Sequence, residues 1–263
     1  MVKLVYRTQN NKDYWNDRWS TEIDQGDQFS KDIYPIKYVE MICQSGEKIL
    51  EIGVGGGRVL NYCKFVKKFD VQGIENSEVA VNSLIDQYGY ADILHCEDCA
   101  SMSFDSDIFD VILAFGVYHN FDSIDRISLA LQEAKRVAKS GAKFCISLRP
   151  DNAASNINEW LWKCSTKKKN DDLTNTFFHR MLIKDKEAKI LLSENGFYVE
   201  KIFHDQNYPI LRKFKIFAAQ TLSPRTTGYK LNALGKFLNK ILCFVFPYHN
   251  SNISVFMGTV KKS

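Results

Sequence analysis

A glycine-rich turn that follows a short apolar run constrains the fold of this chain more than any other feature. The run Lys48 to Ile52 has the pattern of a buried strand, and it leads into Gly53, Gly55 and Gly57, spaced G-x-G-x-G. Glycine accepts positive φ and carries no side chain, so such a turn lets the backbone approach a ligand closely. The helix predicted at 57–67 directs its N-terminus at that ligand. The pattern therefore predicts a strand–turn–helix unit that binds a ligand.

Two further residues refine what this turn binds. Arg58 stands where a dinucleotide-binding fingerprint requires a third glycine or an alanine. Glu75 ends a second predicted strand about twenty residues after the turn, which is the spacing of an acid that binds ribose hydroxyls. We expect Arg58 itself to lie on the helix surface or beside a carboxylate.

Short apolar runs alternate with helical patterns along the chain, which predicts an α/β fold with a parallel, doubly wound sheet. Strands are predicted near 48–53, 70–75, 92–95, 110–115, 142–149, 197–204 and 253–260, and helices near 30–44, 57–67, 77–88, 123–139 and 185–195. The length of 263 residues fits one domain. Its core is predicted at 30–150 and 185–263, with cover segments at 1–29, 150–184 and 205–252.

Composition excludes several classes of protein. The net charge of +4 permits weak attraction to phosphate or anionic lipid and does not demand nucleic acid. No apolar run approaches the roughly eighteen residues of a membrane span, and the N-terminus lacks the apolar stretch of a secretion signal. The seven cysteines have no framework spacing, which favours reduced thiols in the cytoplasm. His95, Cys96 and Cys99 have no second pair that would close a zinc site, so no metal is expected.

The glycine turn and four later segments together resemble the class I S-adenosylmethionine (SAM)-dependent methyltransferases. Residues 51–57 are similar to the first motif of that family, E/D-x-G-x-G-x-G, and the likeness continues in the family's order through 69–77, 96–100, 109–116 and 136–147. The resemblance implies a mostly parallel seven-stranded sheet with helices on both faces and an antiparallel last strand. It also implies an N-terminal arm, lid-like insertions, SAM as the cofactor and S-adenosyl-L-homocysteine as the product.

The same resemblance assigns cofactor-binding residues. The glycine turn offers its backbone to the methionine and ribose portions of SAM, and Glu75 offers a bidentate acceptor to both ribose hydroxyls. Glu51 matches the acid near the methionine ammonium, although a buried structural acid is the alternative. The cofactor-binding residues predicted in this way are Glu51, Gly53, Gly55, Gly57, Glu75, Asn76, Asp98, Cys99, Phe115 and Gly116.

By the same resemblance, residues 98–99 are expected to contact the adenine of SAM, and residues 115–116 are expected to lie along its sulfonium. Asp98 matches the family position that accepts a hydrogen bond from the adenine amino group, with the Cys99 backbone beside it. Glu97 is the alternative for this role, in which case Asp98 is only a turn residue. Phe115 and Gly116 match the backbone that lies along the sulfonium.

The loop after the fourth predicted strand of the core carries the candidate catalytic residue. Methyl transfer is an in-line displacement that depends mainly on positioning, but a hydroxyl acceptor must also lose a proton. His119 is the candidate general base, because ligands lie beyond the carboxyl ends of the strands in such a sheet. The alternative is a histidine that only packs in the loop. Candidate substrate contacts are Tyr118, Asn120, Arg149, His179 and Arg180.

Motifs that the sequence lacks restrict the chemical classes of methyl acceptor. The fourth-strand segment 113–116 lacks the N/D-P-P-Y/F sequence typical of methyltransferases that act on amino groups of adenine, cytosine or glutamine, and the chain has no Pro-Cys pair for carbon-5 cytosine methylation. Both gaps weigh against nucleobase modification, and the loop 118–120 more closely resembles that of small-molecule, sugar or lipid methyltransferases. We therefore expect O-methylation of a small molecule, a lipid-linked substrate or a glycan such as a surface-polysaccharide sugar. The alternatives are a small-amine N-methyltransferase, an RNA methyltransferase and a non-catalytic SAM-binding module.

Two segments outside the predicted core are amphipathic or aromatic. In 229–246, an apolar stripe is predicted on one helix face, with lysines beside it. Such a helix either packs its stripe on its own domain or makes a peripheral contact with an anionic membrane. In the N-terminal arm, Tyr14, Trp15 and Trp19 either close over the cofactor or simply pack.

Overall fold

The computed structural model of the chain describes residues 2–7, 34–168, 176–206, 209–219 and 231–262. Its strands are β1 (Lys3–Arg7), β2 (Lys48–Ile52), β3 (Asp70–Glu75), β4 (Leu94–Cys96), β5 (Phe109–Ala114), β6 (Ala138–Leu148), β7 (Phe177–Leu182), β8 (Phe197–Asp205) and β9 (Ile253–Val260). Its helices are α1 (Ile36–Ile42), α2 (Arg58–Asn61), α3 (Glu78–Tyr88), α4 (Ile124–Val137), α5 (Ala153–Lys168), α6 (Asp185–Glu194), α7 (Ala233–Val245) and α8 (Pro247–Asn250). A π-helical turn, Tyr62–Lys67, continues α2.

Seven of the strands form one sheet in the order β4-β3-β2-β5-β6-β9-β8. Strands β2 to β6 are parallel, and β9 is antiparallel to both β6 and β8. This arrangement confirms the predicted mostly parallel sheet with an antiparallel last strand. The order reverses between β2 and β5, and in open α/β sheets such a reversal leaves a crevice at the carboxyl ends of the strands.

Helices cover both faces of the sheet because the central strands are apolar on both sides. On β5, Ile112 faces the core layer under α4, whereas Val111 and Leu113 face the layer under α1 and α2. Helix α4 presents Leu131 and Ala134 to its layer, and both are fully buried. Ser123 caps this helix, since its side chain accepts a hydrogen bond from the backbone N–H of Arg126.

Several boundaries differ from those predicted. The prediction of a helix up to 139 and a strand from 142 is wrong at this boundary: β6 begins at Ala138, four residues before the predicted strand, because Ala138 pairs with Phe109, and Ser140 and Gly141 lie inside the strand. The short antiparallel sheet of β1 and β7 was not predicted. Neither strand alternates regularly, so its pattern does not stand out.

Some predictions fall outside the described residues, among them the arm residues Tyr14, Trp15 and Trp19. In the parts of the chain that the structure describes, every helix is too short or too polar to cross a membrane. The assignment of residues 1–263 to one domain stays a prediction.

Candidate functional site

A cavity of about 610 Å³ opens at the carboxyl ends of β2, β3, β5 and β6, where the strand order reverses. Most of the predicted site residues line it: Glu51, Gly53, Gly55, Glu75, Asn76, Asp98, Cys99, Phe115, Gly116, His119, Asn120 and Arg149. Gly57, Tyr118, His179 and Arg180 do not line this cavity. The fold therefore gathers at one edge of the sheet residues that are separated widely along the chain.

The glycine turn after β2 forms the floor of the cavity. Gly53 has a φ of 75°, and a Cβ there would lie 2.3 Å from Cγ2 of Val117. The Gly53 N–H donates to the carbonyl of Ile74 at 2.8 Å, which ties the turn to β3. Gly57, with a φ of 81°, begins α2, and a Cβ there would lie 2.7 Å from Leu84 on α3. Gly53 therefore keeps the loop close to the ligand space, whereas Gly57 allows two helices to pack.

Glu75 links the turn to the end of β3. Its Oε2 accepts from the Gly55 N–H and its Oε1 accepts from the Ser77 N–H, both at 2.9 Å. These two bonds fix the carboxylate in one orientation at the cavity wall. Each carboxylate oxygen has about two acceptor positions, so one on each oxygen remains for a ribose hydroxyl.

Glu51 supplies a buried acid next to the same turn. Its side chain is only 3% exposed, and its Oε2 has no hydrogen-bond partner. Burial raises the pKa of this carboxyl well above its usual range, and the Glu75 carboxylate raises it further, although the Leu60 N–H bond opposes both. A buried carboxylate oxygen without a partner is costly. The methionine ammonium of SAM would satisfy it, so the residues present fit the cofactor implied by the resemblance.

We expect the ionisation of Glu51 to be linked to cofactor binding. Because its pKa is raised, the free protein holds a proton on Glu51 at low pH, and only the ionised carboxylate pairs with an ammonium. The affinity for S-adenosylhomocysteine should therefore rise as the pH increases through the raised pKa of Glu51, that is, at a higher pH than for an ordinary carboxyl group with a pKa of about 4.3. Titration calorimetry on Glu51→Gln should show binding weaker by roughly 1.5–3 kcal/mol at neutral pH and a flatter pH dependence. Glu194→Gln, at an exposed position on α6, is the control, and equal pH dependence in both variants would contradict the assignment.

Asp98, just after β4, lines the part of the cavity that we predict to hold the adenine. Its Oδ1 accepts from the Ala100 N–H at 2.9 Å, and its Oδ2 pairs with Arg126. Glu97 instead accepts from the Ser103 N–H at 2.9 Å and braces the following loop. Both acids line the cavity, so the choice between them for the adenine amino group stays a prediction.

Arg126 also lines the cavity, and sequence reasoning missed it. It lies in the first turn of α4, where the helix dipole disfavours a cation, and the Asp98 carboxylate compensates its charge. The guanidinium carbon of Arg126 also lies 5.6 Å from the centre of the Phe121 ring.

His119 lies on the acceptor side, in a 3₁₀ turn formed by residues 118–120. It is 7% exposed, and its Nδ1 is buried without a hydrogen-bond partner. Burial lowers the pKa of His119 well below its usual range, and the charges of Arg149 and Arg180 and the nearby His179 lower it further. The imidazole is therefore neutral at pH 7 and able to accept a proton.

The neighbours of His119 in this turn have structural positions. Tyr118 is 1% exposed and packs in the core under α4, away from the cavity. The side-chain amide of Asn120 donates to the Gly116 carbonyl at 2.6 Å and braces the turn. Of the two, only Asn120 lines the cavity, so the structure gives no support to Tyr118 as a substrate contact.

Positive charge surrounds the acceptor side. Arg149 follows β6 and lines the cavity, and its Nη1 donates to the Asn252 carbonyl at 2.8 Å. Arg180, on β7, shares with Arg149 a second, smaller cavity of about 20 Å³. Burial and the charges of Arg180, Arg7 and Arg149 lower the pKa of His179 to about 3. Arg180 and His179 do not line the main cavity, but both lower the pKa of His119.

Tyr34 and Ser147 complete the wall, and sequence reasoning missed both. Their hydroxyl groups lie 2.8 Å apart, and the Ser147 oxygen accepts from the Gly116 N–H at 2.9 Å. The Tyr34 ring meets Phe115 edge to face at 5.7 Å. Burial raises the pKa of Tyr34 to about 12, so the phenol stays protonated at neutral pH. A serine inside the apolar strand β6 was the one signal that pointed to this network.

Metal ligands do not cluster in the described part of the chain. No group of three His, Cys, Asp or Glu side chains there has the arrangement of a metal site. His95 instead lies 3.0 Å from the side-chain oxygen of Gln72, and Cys99 is buried.

Known proteins resemble this chain in sequence motif and in fold. A family model described as a methyltransferase domain matches residues 50–146, and no curated protein matches the sequence. A SAM-dependent methyltransferase from Archaeoglobus fulgidus superimposes with a TM-score of 0.59 at 12% identity, covering 95% of this chain and 100% of that one. One from Methanosarcina mazei gives 0.56 at 15% identity, with 88% and 99% covered. A chain from the complex between the Haloferax volcanii Trm112 methyltransferase activator and a proposed methyltransferase gives 0.61 at 15% identity, with 96% and 97% covered. At these identities the structural likeness concerns the fold.

Proposed function

We propose that the chain is a class I SAM-dependent methyltransferase, which the methyltransferase-domain match over residues 50–146 supports, and that it methylates a hydroxyl group of a small molecule or glycan, such as a surface-polysaccharide sugar. We propose further that the acceptor carries a carboxylate or a phosphate near that hydroxyl. One observation carries the proposal, namely that a neutral, buried His119 and the cation Arg149 line the same cavity as the cofactor residues.

The place of His119 in the cavity and its neutral imidazole support a role as general base. When bound, SAM supplies a methyl group already activated on a sulfonium, so the protein mainly aligns the acceptor and removes its proton. The turn that holds His119 follows directly on Phe115 and Gly116, the residues assigned to the sulfonium side. At this place, the imidazole itself would accept the proton that the hydroxyl group of the acceptor loses.

The surrounding charge favours an anionic acceptor. A proton on His119 would create a third positive charge near Arg149 and Arg180, and burial already disfavours the charged imidazole. A carboxylate or phosphate on the acceptor offsets this cost, since an opposite charge within about 4–6 Å favours the charged form of a histidine. A guanidinium is also well suited to bind such a group through two parallel hydrogen bonds.

The same charges disfavour a small-amine N-methyltransferase. An amine substrate arrives mostly as an ammonium ion at neutral pH, and Arg149 and Arg180 repel it. An RNA methyltransferase and a non-catalytic SAM-binding module are distinguished from the proposed function by the fate of a labelled methyl group.

We also propose a cytoplasmic location. All seven cysteines lie among the described residues and are free thiols, and Cys43, Cys63 and Cys145 are buried in the core. Free buried thiols are typical of a reducing compartment.

The test uses SAM that carries a labelled methyl group. The protein is incubated with it and with extract of the source organism, and the extract is separated into glycan, lipid, small-molecule, protein and nucleic-acid pools. We expect label in a glycan, lipid or small-molecule product that binds to an anion exchanger and resists conditions that cleave methyl esters. Label in a cationic amine, in RNA or in protein would refute the proposal, and confirmed cofactor binding with no labelled product would favour a non-catalytic module.

A further inference from the structure

Helix α7 is amphipathic, but it is oriented with its apolar face outward. Its hydrophobic residues Leu234, Phe237, Ile241, Phe244 and Val245 are exposed, and we call them the outer face of α7. Phe237 is 63% exposed and Phe244 is 87% exposed. The predicted stripe is therefore divided: Leu231, before the helix, is buried and Leu238 and Leu242 are half-buried, whereas the outer face does not pack on the described part of the domain.

The inward side of α7 is small and polar. Gly235 is buried, and a Cβ there would lie 2.5 Å from the Phe217 carbonyl. The side-chain amide of Asn239 donates to Gln206 at 2.9 Å, and the amide of Asn250 donates to Asn239 at 3.3 Å. Only Leu238 and Leu242 of the apolar stripe are half-buried. The polar contacts fix the rotation of the helix, so the outer face is held toward solvent.

Further apolar side chains extend the outer face at both ends of the helix. Phe246 directly follows α7 and is 53% exposed. Near the N-terminus of α7, the Asn232 amide donates to the Ile216 carbonyl at 2.7 Å, and Ile216 is 68% exposed. Large apolar patches on a protein surface mark interaction sites.

The sequence on either side of this helix carries charge of one sign. Residues 206–247 contain no Asp or Glu, and their basic residues are Arg212, Lys213, Lys215, Arg225, Lys230, Lys236 and Lys240. Lys236 and Lys240 lie on α7 beside the outer face and are exposed. Basic residues that flank an exposed apolar helix face match a surface that is apolar below and anionic at its headgroups.

We infer that the outer face of α7 binds an anionic membrane surface. The helix would lie in the plane of the interface, with its phenylalanines among the acyl chains and its lysines at the headgroups. The protein is then peripheral, which accords with described helices that are too short or too polar to span a bilayer.

The site lies close to this surface in the fold. Helix α7 leads directly into α8 and then into β9, whose first residue, Ile253, lines the main cavity. Asn250, at the end of α8, lines the smaller cavity together with Arg149 and Arg180. A membrane bound to α7 would present an acceptor that is itself attached to lipid. This last step rests on the proposed function, whereas membrane binding by α7 does not.

Co-sedimentation with vesicles tests the inference. The full chain is mixed with vesicles of phosphatidylcholine alone or of phosphatidylcholine with phosphatidylglycerol, at low and high salt. We expect binding to the anionic vesicles only, weaker at high salt, and reduced at least about tenfold in the double variant Phe237→Ser, Phe244→Ser. The matched control is Leu129→Ser, Ile190→Ser, which changes exposed apolar residues on α4 and α6 and should bind like the wild type.

Three results would overturn the inference. The first is no binding to anionic vesicles, and the second is equal binding by the Phe237→Ser, Phe244→Ser variant. The third is a stable dimer that this variant alone converts to a monomer, because the outer face would then be a subunit interface. Binding of S-adenosylhomocysteine, measured on each variant, shows that the fold and cofactor site are intact. Since binding to vesicles needs no acceptor, it is independent of any failure of the proposed methylation.

Discussion

Replacing His119 with Asn should lower the rate of methyl transfer by about 10²–10⁴-fold, the usual contribution of a positioned general base. Asparagine fills a similar space but accepts no proton at neutral pH. His119 lies beyond the glycine turn and the acids assigned to SAM, so the affinity for the cofactor should change little. Single-turnover transfer of a labelled methyl group, with the acceptor found in the extract experiment, measures the first effect, and calorimetry measures the second.

The pH dependence sharpens this expectation. Because burial and nearby positive charges lower the pKa of His119, the imidazole stays neutral below its usual pKa of about 6.5. With SAM kept saturating, so that protonation of Glu51 does not limit its binding, the wild-type rate should therefore hold as the pH falls through that value and decline only at lower pH. His95→Asn, at a histidine on β4 that contacts Gln72, should behave like the wild type. An unchanged rate in His119→Asn would refute the base and favour transfer to an amine.

The glycine turn and the position of Glu75 beside it could be predicted because they are encoded locally. A buried strand, a turn that only glycine can form and an acid at the end of the next strand are close in sequence, and parallel pairing of β2 with β3 brings them together. Gly53, Gly55 and Glu75 therefore lie where the motif predicts them. Predicting this much required only the periodicity of the strands and the conformational freedom of glycine.

The remaining wall of the cavity depends on distant parts of the chain. Tyr34 reaches Ser147, and Asp98 pairs with Arg126, only because the strand order sets their elements side by side. Local patterns carry no information on such pairs. Local patterns can also suggest a neighbour that the fold turns away. Tyr118 is predicted as a substrate contact because it precedes His119 in sequence, but the 3₁₀ turn directs it into the core.

Helix α7 illustrates a third limit. Its hydrophobic periodicity predicts a helix, and a helix is present, but periodicity does not tell which side faces the domain. The rotation is decided by Gly235 against the Phe217 carbonyl and by Asn239 with Gln206. These contacts involve residues 18 and 33 positions earlier in the chain and cannot be derived from the helix alone.

Replacing Glu75 with Ala should weaken the binding of SAM and of S-adenosylhomocysteine by roughly 1.5–3 kcal/mol, or about 10–150-fold. Two causes act together. The variant loses the acceptor that we assign to the ribose hydroxyls, and it releases the N–H groups of Gly55 and Ser77 that this carboxylate holds at 2.9 Å. Glu75→Gln keeps one acceptor oxygen, so it should fall between Ala and the wild type. Titration calorimetry of the three proteins measures the series.

Methylthioadenosine separates the role of Glu75 from that of Glu51, because this ligand has the adenosine half of SAM but no ammonium. Glu75→Ala should weaken methylthioadenosine and S-adenosylhomocysteine alike, since both carry the ribose. Glu51→Gln should weaken only S-adenosylhomocysteine, whose ammonium would pair with the buried Oε2 that lacks a partner. If Glu75→Ala left methylthioadenosine binding unchanged while the free protein stayed folded, the ribose would lie elsewhere. The two bonds to Gly55 and Ser77 would then make Glu75 a brace of the turn rather than a ligand of the cofactor.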